Sequence, residues 1–103
     1  MEIRNEVKNL CQQIKDMVSP DMIILFGSKQ NISGDSLKEI SFCVIIQDGE
    51  KKETEKKLYL NLKSDIAFNI VVYKKDDWDR LSCDKTSYAG AIISKGVIVY
   101  EKT

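Results

Sequence analysis

Two eight-residue segments, 39–46 and 66–73, constrain the fold most, because each keeps one face wholly apolar with a period of two. In the first, Ile40, Phe42, Val44 and Ile46 share a face, with Glu39, Ser41, Cys43 and Ile45 on the other. In the second, Ile66, Phe68, Ile70 and Val72 line one side and Ala67, Asn69, Val71 and Tyr73 the other. Successive side chains of an extended chain leave opposite faces, so both segments read as strands that need a common apolar cover. The second face of the first segment grades from polar at Glu39 to apolar at Ile45.

The remaining patterns supply that cover. Ile3, Val7, Leu10, Cys11, Ile14 and Val18 recur at helical spacing, which predicts a helix from residue 3 that ends at Ser19-Pro20. The unbroken apolar run 22–26, bounded by Pro20 and Gly27, predicts a buried strand. A short helix opening at Ser28 and a polar loop to Lys38 follow. After an Asp48-Gly49 turn, residues 50–63 read as a helix with Leu58, Tyr59 and Leu62 inward and its charge run solvated. Asp76 or Asp77 is expected to cap a short helix carrying Trp78 and Leu81. Residues 86–94 predict another, with Tyr88, Ala91 and Ile92 inward, stopped by Gly96 before a last strand at 97–100. Helices between strands permit crossover connections. The expectation is one α+β domain over residues 1–103: a mixed four-stranded sheet with helices packed mainly on one face.

A length of 103 residues with 43% apolar side chains suits one domain and no more. Sixteen basic and sixteen acidic residues cancel, which leaves no overall field for a polyanion and no extended nucleic-acid surface. With no histidine, Ser-His and Cys-His catalysis and the usual zinc sites are excluded. Cys11, Cys43 and Cys83 lack metal-ligand spacing and are expected as reduced core thiols. The first residues lack the apolar core of a signal peptide, and no apolar run reaches membrane-spanning length, so a cytoplasmic protein without a membrane partner is expected.

Chemistry concentrates where a strand ends at Phe26, turns through Gly27-Ser28, and is followed by a strand that opens with Glu39 and Ser41. Glycine permits close backbone approach, and Ser28 at a helix start can offer its hydroxyl and neighbouring N–H groups to a phosphate, with Lys29 beside it. The same residues also read as a plain N-cap and a solvated lysine, and Glu39, Ser41 and Asn69 as polar residues on the wet face of a sheet. Trp78 with Leu81, and Tyr59 with Leu62, read as packing rather than as a base-stacking platform.

The segment Ile-Leu-Phe-Gly-Ser-Lys from Ile24 to Lys29, followed by Lys-Glu-Ile-Ser-Phe-Cys-Val from Lys38 to Val44, resembles the signature of the DNA polymerase β-type nucleotidyltransferase superfamily. It is similar in particular to the small minimal nucleotidyltransferase domains, in which a Leu-Phe-Gly-Ser-Arg turn precedes Ser-Asp-Ile-Asp-Leu on a strand, with a third Asp on the next strand. The closing Ile-Ser-Lys-Gly-Val-Ile-Val-Tyr-Glu is like the family's last helix, Gly turn and strand. The resemblance implies a nucleotidyltransferase-like fold, with Gly27, Ser28 and Lys29 at the phosphate-binding turn. It places Glu39, Ser41 and Asn69 at the three catalytic aspartates, which in the family hold Mg²⁺ against a nucleoside triphosphate.

One formal negative charge of three survives here, so Glu39 is left as a weak metal ligand and catalysis is expected to be lost or very slow. Asp35 and Asp65 are the nearby substitutes, the first in a loop and the second ~13 Å along a strand from Asn69. Three readings follow. One is an impaired domain that binds nucleotide or a partner, antitoxin-like, with a helical protein as in two-gene toxin–antitoxin systems. Another is an active Mg²⁺-dependent enzyme that transfers a nucleotide to a hydroxyl of a protein or small molecule. The third is a structural interaction domain with no nucleotide site. A homo-oligomer stays open under all three.

Overall fold

The computed structural model describes residues 5–26, 39–64 and 67–102. Helix α1 (Asn5–Val18) buries Val7, Leu10, Cys11 and Ile14, the stripe expected from their spacing. It ends where Ser19 takes a left-handed conformation at φ 47°, a helix-terminating geometry, immediately before Pro20. Strand β1 (Met22–Phe26) follows, then β2 (Glu39–Ile46), helix α2 (Lys51–Asn61), β3 (Ala67–Lys74), α3 (Lys75–Leu81), α4 (Tyr88–Lys95) and β4 (Val97–Glu101). The helix and loop expected between Ser28 and Lys38 lie outside the described residues, as do Asp65 and Ile66. Among the described residues, no helix is long and apolar enough to cross a membrane.

The four strands form one mixed sheet in the order β3-β2-β1-β4. Strands β2 and β3 are parallel and α2 is the crossover between them; β1 runs antiparallel to both β2 and β4. Gln13 fixes the hand-over from α2 to β3, since its amide donates to Lys63 O at 3.0 Å and accepts from Lys63 N at 2.9 Å. On the outer edge of β3, the Tyr59 hydroxyl accepts the Ile70 N–H at 2.8 Å and lies 3.4 Å from Ile70 O. Tyr59 therefore occupies part of the place a further strand would take.

On one face, Ile23, Leu25, Ile40, Phe42, Val44, Ile46, Ile70 and Val72 pack against the buried stripe of α1 and against Leu58 and Leu62 from α2. The other face is also covered, which corrects the expectation of helices mainly on one side. Ile24, Cys43, Ile45 and Tyr73 pack there against Trp78 of α3 and Ala89 and Ile92 of α4. The physical reason is the apolar character of Cys43, Ile45, Val71 and Tyr73, too much surface to leave in water. Gly96 makes the close packing of α4 on β1 possible. A Cβ there would sit 2.6 Å from Ile24 Cγ2, 2.7 Å from Ile92 O and 3.0 Å from Leu25 O.

Local expectations are corrected in four places. Helix α3 begins after Lys74 with no side-chain cap, and Asp76 and Asp77 lie within its first turn, where their charge favours the helix dipole. Helix α4 starts two residues later than expected because Ser87 is its cap, its Oγ accepting the Gly90 N–H at 2.9 Å. Ala89 and Ile92 face inward, while Tyr88 and Ala91 are exposed. Cys83 is exposed beyond α3, whereas Cys11 and Cys43 are buried as expected. Finally, Tyr59 is half exposed, held by its hydroxyl and by stacking on Phe68 rather than by burial in the core.

Candidate functional site

Of the candidate residues, Glu39, Ser41 and Asn69 lie at one end of the sheet, where β1 ends and β2 and β3 begin. Strand β1 ends at Phe26, β2 opens with Glu39, and β3 reaches Asn69 two residues after its start. The register sets Phe26 opposite Ser41 and Ser41 opposite Asn69, a single row across three strands. At ~4.8 Å between neighbouring strands the row spans about 10 Å. Glu39 lies two pairs further along, opposite Ala67.

The row belongs to the face covered by α3 and α4, since Cys43, Ile45, Val71 and Tyr73 continue it at even spacing. Ser41 is only 6% exposed and is the one buried polar or charged residue among those described. Asn69 is exposed on the neighbouring strand. Reading these positions as a wet sheet face thus suits Asn69 and fails for Ser41. Gly27, Ser28 and Lys29, together with Asp35 and Asp65, lie outside the described residues.

The donors in the row are neutral. A hydroxyl at Ser41 and an amide at Asn69 stand where a hard dication that sheds water reluctantly needs carboxylates, so the pair does not fit a two-Mg²⁺ cradle. Among the described residues, no three His, Cys, Asp or Glu side chains are grouped to hold a metal. Thiolate chemistry is also disfavoured nearby, because burial pushes the Cys43 thiol up to about 12, with Lys51 opposing weakly. Burial likewise raises Cys11 against a smaller opposing effect of Lys15.

One aromatic residue beside the row was read from the sequence as core. Tyr88, the first residue of α4, is 58% exposed, and its ring stands perpendicular to that of Phe26 at 6.2 Å between centroids. The signal for it is spacing: Ala89, Ile92 and Ile93 fall at i, i+3 and i+4 and carry the packed stripe, with Tyr88 at its margin.

At the opposite end of the sheet, a shallow cleft is lined by Asp21, Met22, Ile45, Gln47, Lys75, Glu101 and Lys102. Its two carboxylates and two ammonium groups balance, so it has no preference for an ion of either sign. Comparison with protein-family models, curated proteins and solved structures finds no match to this chain.

Proposed function

We propose that the chain is a catalytically impaired nucleotidyltransferase-type domain that acts as a binding module for a nucleoside triphosphate or a protein partner. One observation carries this reading: the two neutralised positions, Ser41 and Asn69, are register partners on adjacent parallel strands, directly across from Phe26. A metal cradle of the kind implied by the sequence resemblance needs its second and third carboxylates on neighbouring strands. Phe26 leads covalently into Gly27-Ser28, so the phosphate-binding turn of the proposal adjoins the row.

In this reading Gly27 and Ser28 receive the phosphates through backbone N–H groups and a hydroxyl, and Lys29 adds a charge. Asn69, exposed on β3, contributes a hydrogen bond to ligand oxygens, with Ser41 buried beside it, and Glu39 is the one carboxylate left at the three family positions. Neither Ser41 nor Asn69 can take a proton from an attacking hydroxyl, a role worth about 10² to 10⁴-fold in rate. The partner class implied by the resemblance is a helical protein of a two-gene system, met in the cytoplasm.

The test is transfer of labelled AMP from ATP in the presence of Mg²⁺, with and without co-purified partner. No transfer is expected. Measurable transfer that disappears in Glu39→Ala would overturn the impaired reading in favour of an active enzyme. Ser28→Trp separates nucleotide from partner binding: it is expected to abolish the first and spare the fold.

A further inference from the structure

Four tyrosines occupy four different settings, and Tyr88 is the most exposed of them. Tyr73 is buried against Trp78, with ring centroids 5.4 Å apart. Tyr100 lies beneath the Lys15 ammonium, 4.6 Å from the ring centre, and packs on the core. Tyr59 is half exposed but ties its hydroxyl to the edge of β3 and stacks on Phe68 at 5.8 Å. Tyr88 is 58% exposed, and its aromatic contact is the perpendicular one with Phe26.

Perpendicular packing at 6.2 Å gives Tyr88 an aromatic contact with Phe26 while more than half of its surface stays exposed. The backbone beneath Tyr88 is held by hydrogen bonds. Ser87 Oγ lies 2.6 Å from Leu81 O and 2.8 Å from Asp84 O and accepts the Gly90 N–H. Asp84 in turn accepts from both the backbone N–H and the hydroxyl of Thr86. An aromatic surface that is exposed and already ordered loses little entropy when a planar ligand settles on it. Solvent exposure of such a ring costs the free protein apolar hydration, which stacking recovers.

We propose that Tyr88, braced by Phe26, is the stacking platform for the base of a nucleotide held at the Phe26–Ser41–Asn69 row. The inference rests on the nucleotide-binding reading above and adds to it the base subsite. Tyr88 receives the planar end of the ligand, and the anionic end lies toward Asn69, the exposed polar residue of the row. Stacking accepts any base, because each presents a π face, so the platform supplies affinity rather than base identity.

Calorimetry on the full chain tests this with two probes, ATP and inorganic triphosphate, and three proteins, wild type, Tyr88→Ala and Tyr88→Phe. Tyr88→Ala is expected to weaken ATP about tenfold while leaving inorganic triphosphate unchanged. Tyr88→Phe, which keeps the ring, is expected to bind ATP within about twofold of wild type. If wild type binds triphosphate and ATP, and Tyr88→Ala binds both unchanged, the platform is wrong and the nucleotide reading stands. If Tyr88→Ala weakens both probes equally, Tyr88 acts on the scaffold and the platform is again wrong. If wild type binds neither probe, the nucleotide reading fails and the base subsite with it.

Discussion

On the face of the sheet turned to α1 and α2, fourteen buried residues among those described form one cluster, and every one of them is apolar. On the face turned to α3 and α4, the corresponding cluster has seven, and its strands run on past the helices into the row that holds Ser41 and Asn69. The first face is closed along its length, and its helices follow from a clean helical stripe and a crossover. The second is closed over Ile24, Cys43, Ile45, Tyr73 and Ser41 and opens at Asn69 and Tyr88. On the proposed reading, stability rests mainly on one face and recognition on the other, and mutational effects on the two are separable.

The largest effect is expected from Phe42→Ala, which empties the biggest fully buried side chain of the closed face. A loss of about 3–5 kcal/mol, read by urea unfolding, is expected. A loss below about 1 kcal/mol would mean that the closed face does not carry the fold. On the other face, Gly96→Ala drives a methyl into two backbone oxygens and Ile24, and about 1–3 kcal/mol is expected to be lost as α4 lifts from β1. That displacement also moves Tyr88, so nucleotide affinity is expected to fall in this variant and to hold in a mildly destabilised variant of the closed face.

Alkaline unfolding sharpens the same contrast. The folded protein holds the Cys43 proton more tightly than the unfolded chain does, because burial raises that thiol from its ordinary 9.0 to about 12. This contribution to stability is complete below pH 9 and is lost as pH rises toward 12, at up to about 1.4 kcal/mol per pH unit. Urea midpoints measured from pH 8 to 11 should fall less steeply in Cys43→Ala than in wild type. A smaller effect, about 0.5–1.5 kcal/mol, is expected for Tyr59→Phe, which removes the hydroxyl from the open edge of β3 and touches neither face.

Much of this division is visible in the sequence, and its failures have physical causes. The alternation in 39–46 and 66–73 was enough to place Ser41 and Asn69 on equivalent faces, because the side-chain period of a strand leaves no other choice. Their direct pairing was not readable, since register depends on where α2 ends and on the Gln13 clasp at Lys63. The second helical layer was foreshadowed by Cys43, Ile45, Val71 and Tyr73, which make the second strand face too apolar for water. Tyr88 was misread because Tyr88 and Ile92 are four apart and so also fit a helical stripe. Cys83 failed for a similar reason: proximity to Leu81 in sequence said nothing about a residue beyond the helix end.

On the proposed reading the Ser41–Asn69 pair is a metal cradle emptied of charge, and restoring the charge tests that most directly. Glu39→Asp, Ser41→Asp and Asn69→Asp would be combined in the full chain and its melting temperature followed in chelator, in Mg²⁺ and in Mg²⁺-ATP. A carboxylate at the buried Ser41 position is costly without a counterion, so the variant is expected to melt below wild type in chelator. Mg²⁺-ATP should then raise its melting temperature more than that of wild type, since a ligand at 100 times its Kd contributes about 2.7 kcal/mol. A folded triple variant whose melting temperature ignores Mg²⁺-ATP would contradict the account and leave Ser41 and Asn69 as polar residues of a sheet that never held a metal.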